Sequence, residues 1–243
     1  MFLAEFYSYL KKPATVLHID REQYLKRKIS CIVNCYLTYL LLALSSFLLL
    51  KSIDTIILKY FYNYSILSQF EINRQKNLLQ FGDYVIIIVP IIGPFLEEIL
   101  FRLPLSLTKT SISLSAALIM YRFTGKHLFS FDPNEVYSYI RIGIAIVTFT
   151  SVLFFLSYVW LEKIKERYFK YFFYLSAILF ALVHISNFAP YNYNVLFLYP
   201  LFTLPQFFMG LILGYLRIRQ GFFSAWVLHA LINLPSALLY FIK

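Results

Sequence analysis

The stretch Gly93-Pro94-Phe95-Leu96-Glu97-Glu98-Ile99-Leu100-Phe101-Arg102 places two adjacent carboxylates and a guanidinium inside one of the most apolar runs of the chain. A charge in hydrocarbon costs several kcal/mol unless it is paired or hydrated (roughly 2.5–3.5 kcal/mol on insertion scales). The run must therefore face something other than lipid. Glu98 and Arg102 are four residues apart, so on a helix they share a face and can pair. Glu97 lies about 100° round the helix from Glu98. It is not neutralised by Arg102 in the same way and is left as the reactive carboxylate.

The surroundings fix the class. Of 243 residues, 60% are hydrophobic and only 14% charged, where a soluble domain carries about 25% charged residues. The apolar runs are apolar on all sides and lack the ten-residue alternation of a transmembrane β-barrel. The fold class is an all-α polytopic membrane protein, a bundle of about seven transmembrane helices (six to eight). The net charge of +10 does not point to nucleic acid, because the basic residues cluster between apolar runs, as in loops flanking membrane helices.

Residues 1–30 read as a basic, cytoplasmic amino-terminal arm carrying an amphipathic helix, without a cleavable signal peptide. Residues 31–243 read as one transmembrane domain. Spans are expected at about 31–50, 81–104, 140–161, 171–189, 194–216 and 221–242, each near the ~20 residues a bilayer needs. A shorter, re-entrant run is expected at 110–121. Residues 51–79 read as a mixed loop in which Ile53–Tyr62 forms an interfacial helix. Pro90 and Pro94 are expected to break or kink the second span, with Pro94 in the first turn of a new helix. More of the basic residues fall in inner loops when the amino end is inside. Cys31 and Cys35, one turn apart, read as small apolar residues of the first span rather than a disulfide. His18 and His127 fall in polar segments and read as solvated.

Two further apolar runs carry polar faces. Phe180 and His184 are one turn apart, with Asn187 nearly one turn beyond. His229 and Asn233 are one turn apart in the last run. Ionisable groups inside a membrane face the bundle interior and each other. Glu97, His184, His229 and Asn233 together make a water-holding chamber, braced by Glu98, Arg102 and Phe180 and lined by Asn187.

At these residues the chain resembles the CAAX protease and bacteriocin-processing family, also called the Abi family, which includes the type 2 CaaX prenyl endopeptidases. The family pattern is E-E-x-x-x-R, F-x-x-x-H and H-x-x-x-N on three separate helices. It is matched here by Glu97-Glu98…Arg102, Phe180…His184 and His229…Asn233. The approach to the last motif, Gly210–Asn233, is similar to family members throughout. The resemblance covers about residues 85–240. It departs in the distance from the first to the second motif, where a two-span insertion of about 105–165 stands in place of a few tens of residues. Two added spans keep the parity of the helices, so the site can still assemble.

The resemblance implies an intramembrane endopeptidase acting on lipid-modified or membrane-anchored peptides and proteins. Glu97 would activate the water, and His229 and Asn233 would stabilise the oxyanion. No cofactor is favoured; the alternative puts a zinc ion on His184, His229 and Glu97, as in metalloproteases. Other readings are a non-catalytic immunity or scaffold protein and an ion-coupled transporter, though no inverted repeat supports the latter. The expected location is a bacterial plasma membrane with the amino terminus cytoplasmic. No nucleic-acid partner is expected.

Overall fold

In the computed structural model, residues 2–14, 24–125 and 132–241 are described, and 88% of the structure is helix, with no strand among these residues. His18 and His127 lie outside them. Five helical runs are long and apolar enough to cross a membrane: residues 28–62, 66–101, 136–155, 158–188 and 193–220. The apolar helix Phe222–Leu238 is shorter. The chain is thus a polytopic helical membrane protein, its spans at the lower end of the expected range.

The amino-terminal helix α1 (Phe2–Lys11) gives its apolar stripe to protein: Phe6 and Tyr9 are buried, and their rings sit 5.1 Å from that of Tyr215. Glu5 at its start pairs with Arg219. Helix α2 (Tyr24–Ile53) holds Cys31 and Cys35 as free, buried thiols.

The expected mixed loop at 51–79 is instead helical. Helix α2 continues through a π-helical stretch, Asp54–Lys59, to Tyr62, and turns at Asn63, whose φ of 47° is left-handed. The buried Asp54 carboxylate closes this turn. It accepts hydrogen bonds from Ser65 Oγ (2.6 Å) and the Ile66 backbone N–H (2.8 Å), capping helix α3 (Ile66–Phe81). The polar residues that suggest a loop belong to α3, a helix with polar groups on all sides.

Beyond Gly82 the two prolines disturb the helix without breaking it, for the helical run 66–101 is continuous. Pro90 sits in a π-helical turn, Ile88–Ile92, and Pro94 lies in the first turn of α4 (Gly93–Phe101). A proline has no N–H and fits a helix start, where that donor would be unused. Helix α4 ends at Arg102 because Pro104 disfavours helical backbone at Leu103.

Helices α5 (Lys109–Phe123) and α6 (Val136–Phe155) pack on each other as a hairpin occupying the expected insertion. At 15 residues α5 is short for a span. The expected 140–161 span is broken at Leu156–Ser157, where the Ser157 hydroxyl caps the short helix α7 (Tyr158–Lys163). Helix α8 (Phe169–Val183) ends in a 3-10 turn, His184–Phe188, and α9 (Leu204–Gln220) and α10 (Phe222–Leu238) follow. Gly221 (φ 93°) provides the reversal between the last two, a backbone state that favours glycine.

The centre is α8 against α9. A Cβ on Gly210 would come within 3.1 Å of the Ala177 backbone, and one on Gly214 within 2.8 Å of the Phe173 ring. Gly210 and Gly214 form the small-x-x-x-small spacing that lets membrane helices approach closely. This contact holds α8 and its terminal His184 against the core.

Candidate active site

The three motif helices converge. Glu98, Arg102 and His229 are completely buried. Glu98 Oε1 lies 3.7 Å from Arg102 Nε on its own helix and 2.9 Å from His229 Nδ1 on α10. One carboxylate therefore braces α4 and orients a histidine across the bundle; helical spacing alone reads only the first role. The Arg102 guanidinium lies 3.7 Å over the Phe180 ring. Phe180 also meets the rings of His184 (4.7 Å) and His229 (5.7 Å) edge-on. It packs between Arg102 and the two histidines, and Arg102 is completely buried there, where a desolvated cation–π contact is worth most.

Glu97 faces the other way, as its 100° offset requires. Its side chain is 30% exposed, and Oε2 lies 3.5 Å from His229 Nε2 and 3.9 Å from His184 Nε2. His184 Nδ1 is 2.7 Å from the Phe180 carbonyl. A carbonyl can only accept, so Nδ1 carries a proton, and Nε2 is the ring atom directed at Glu97. His229 Nδ1 likewise donates to the Glu98 carboxylate. His229 Nε2 becomes a donor only when the ring carries its second proton.

Two cavities meet at Glu97, His184 and Asn187. One, of about 480 Å³, is also lined by Asn233, by Arg74 and Asn77 of α3, and by Gln206 of α9. The other, of about 310 Å³, is walled by Phe101 of α4 and by Ile119 and Phe123 of the hairpin helix α5. Asn233 lines the first cavity and donates weakly to the Val89 carbonyl (3.4 Å). Asn187 lines both, while its backbone carbonyl accepts from Asn73 of α3 (3.0 Å). Gln206 is the residue that motif spacing does not reveal: its Oε1 is buried without a hydrogen-bond partner. The only hint in the sequence is a lone amide near the start of an apolar run.

The end of α4 is held from outside. The carbonyls left free at a helix C-terminus need partners. Leu100 accepts from Ser115 Oγ (2.5 Å), Phe101 from Ser176 Oγ (2.6 Å) and Arg102 from Arg217 Nε (3.3 Å). Three other helices thus fix the position of the carboxylates. Among the described residues no three His, Cys, Asp or Glu side chains are grouped to hold a metal ion. The expected trio of His184, His229 and Glu97 is not grouped as a ligand set in this structure.

The fold is a polytopic helical membrane bundle, and its polar centre is a cluster of carboxylates and histidines. A family model described as type II CAAX prenyl endopeptidase Rce1-like matches residues 82–235, and the chain belongs to that family, one of CAAX-type intramembrane proteases. The matched segment contains every motif residue from Glu97 to Asn233. No curated protein and no solved structure matches the chain.

Proposed function

We propose that the chain is a glutamate-type intramembrane endopeptidase that hydrolyses peptide bonds of lipid-modified or membrane-anchored substrates. The observation that carries this reading is Glu97, a half-open carboxylate between two imidazole Nε2 atoms at the meeting of two cavities. Glu97 takes a proton from a water held beside His184 Nε2. The resulting hydroxide attacks the scissile carbonyl carbon. Asn233 lines the cavity and donates its amide N–H to the oxyanion. His229, oriented by Glu98 through Nδ1, donates its Nε2 N–H to the oxyanion when its ring carries a second proton. As the C–N bond breaks, the protonated Glu97 returns its proton to the leaving amine. Glu98 and Arg102 hold the geometry. The amino end is cytoplasmic in this reading, which sets the side from which substrate enters.

The test is cleavage of lipid-anchored and single-span peptides by protein in nanodiscs. Activity that Glu97→Ala abolishes and a zinc chelator spares supports the glutamate mechanism. Activity lost to the chelator and restored by zinc replaces it with a metalloprotease. A folded protein that cleaves no substrate of either kind favours the immunity or scaffold alternative.

A further inference from the structure

A cavity separate from the catalytic chamber lies elsewhere in the bundle. It has a volume of about 720 Å³ and lies beyond the end of α4, between the 105–110 turn, α7 and the end of α9. Three cations line it from three separate elements: Lys109 at the start of α5, Lys165 after α7, and Arg217 on α9. A single carboxylate, Glu162, accompanies them, and its contact with Lys165 is long (3.9 Å) and exposed. The cavity is therefore net positive. The hydroxyls of Ser106, Thr108 and Thr110 stand at its lining, where the first-turn N–H groups of α5 add positive potential. The remaining walls are apolar, chiefly Leu105, Leu107 and Leu161.

We propose that this cavity binds the phosphate of an anionic phospholipid, with the cations and hydroxyls on the headgroup and the leucine wall along the first part of an acyl chain. The chemistry of the lining suits a phosphate: an anion with several acceptor oxygens matches several cations and hydroxyls set around one space. The flanks identify lipid as its source. Phe155, Tyr158 and Trp160 beside the cavity are 86%, 70% and 59% exposed. Exposed aromatic rings next to basic side chains at the end of an apolar helix mark the headgroup level of a bilayer. Basic pockets between membrane helices suit anionic headgroups for the same electrostatic reason. The site bears on the catalytic helix through one bond, because Arg217, which lines the cavity, also donates to the Arg102 carbonyl. Nothing in this assignment depends on the catalytic mechanism.

The experiment uses the full chain in detergent, with phosphatidylglycerol or phosphatidylcholine added, and counts lipids retained by native mass spectrometry. The wild type should hold one phosphatidylglycerol in preference to phosphatidylcholine. Lys109→Gln with Lys165→Gln should lower that retention roughly fivefold for each cation removed. Lys109→Arg with Lys165→Arg should keep it, which separates loss of charge from loss of fold. Lys51→Gln with Lys59→Gln, exposed cations elsewhere, should leave it unchanged. The proposal is overturned if the double glutamine variant retains the lipid fully, or if the Lys51 and Lys59 control loses as much. It is also overturned if inorganic phosphate at the lipid's own concentration displaces the lipid, which would make this a soluble-phosphate site.

Discussion

The run 193–220 that ends in α9 and the helix α6 are both apolar and long enough to span, yet they sit in different solvents. From Met209 to Leu216 every residue of α9 is buried in protein. In α6 the buried residues are Ser138 and Arg141, while Ile140, Ile146, Val147, Phe154 and Phe155 are exposed. Helix α6 is inside-out by the standards of a soluble protein: it turns apolar groups to lipid and keeps polar ones for its neighbour. Arg141 donates to the Tyr121 carbonyl (2.9 Å) and lies over the Tyr121 ring at 4.1 Å. Hydropathy thus says that a segment is in the membrane, but not which face meets protein. In α9 the protein face is marked by glycines, and in α6 by the arginine.

The difference can be broken in four ways. Glu97→Gln in the core should lower kcat/KM by on the order of 10²–10⁴-fold, the usual contribution of a positioned base. Arg141→Gln in the hairpin should leave it within a few-fold, measured in the same cleavage assay. Arg102→Leu leaves Glu98 buried without its cation and should cost about 3–5 kcal/mol of stability, read by denaturant titration. Adding Glu98→Gln should restore part of it. Gly214→Ala drives a Cβ against Phe173 and should cost about 1–3 kcal/mol. Gly143→Ala on α6, where a Cβ meets nothing within 4 Å, should stay within about 0.5 kcal/mol. The smallest effect falls at Gln206: Gln206→Leu should raise KM several-fold with kcat nearly unchanged, on the scale of one hydrogen bond, roughly 0.5–1.5 kcal/mol.

The helical class and the polar face of each motif helix were legible because one-turn spacing is a property of a single helix. Contacts between helices were not. Nothing in the spacing of Glu98 and Arg102 shows that Glu98 also orients His229. Helix α3 was hidden because it is polar on all sides and carries no amphipathic period, so its residues read as loop. Its place comes from Asp54 at one end and from Asn73 and Gln69 donating to the Ala189 carbonyl. It also lies outside the matched family segment, which begins at Gly82. Arg74 and Asn77 therefore line the chamber from a part of the chain that the family pattern does not describe. They are where selectivity particular to this chain has room to reside.

The π-helical turn before α4 has a consequence for how the motifs stay aligned through sequence change. The Gly93 N–H goes to the Ile88 carbonyl rather than to Val89, and Pro94 has no N–H to offer in its place. Val89 is left free to accept Asn233, and the neighbouring Ile91 carbonyl accepts the Trp226 indole N–H at 3.0 Å. The third motif is thus keyed to the first through main-chain oxygens, which every residue possesses. Mutation at Val89 or Ile91 can drift among apolar side chains without losing alignment. The fragile positions in this joint are Pro94 and the two side chains that reach across, Trp226 and Asn233.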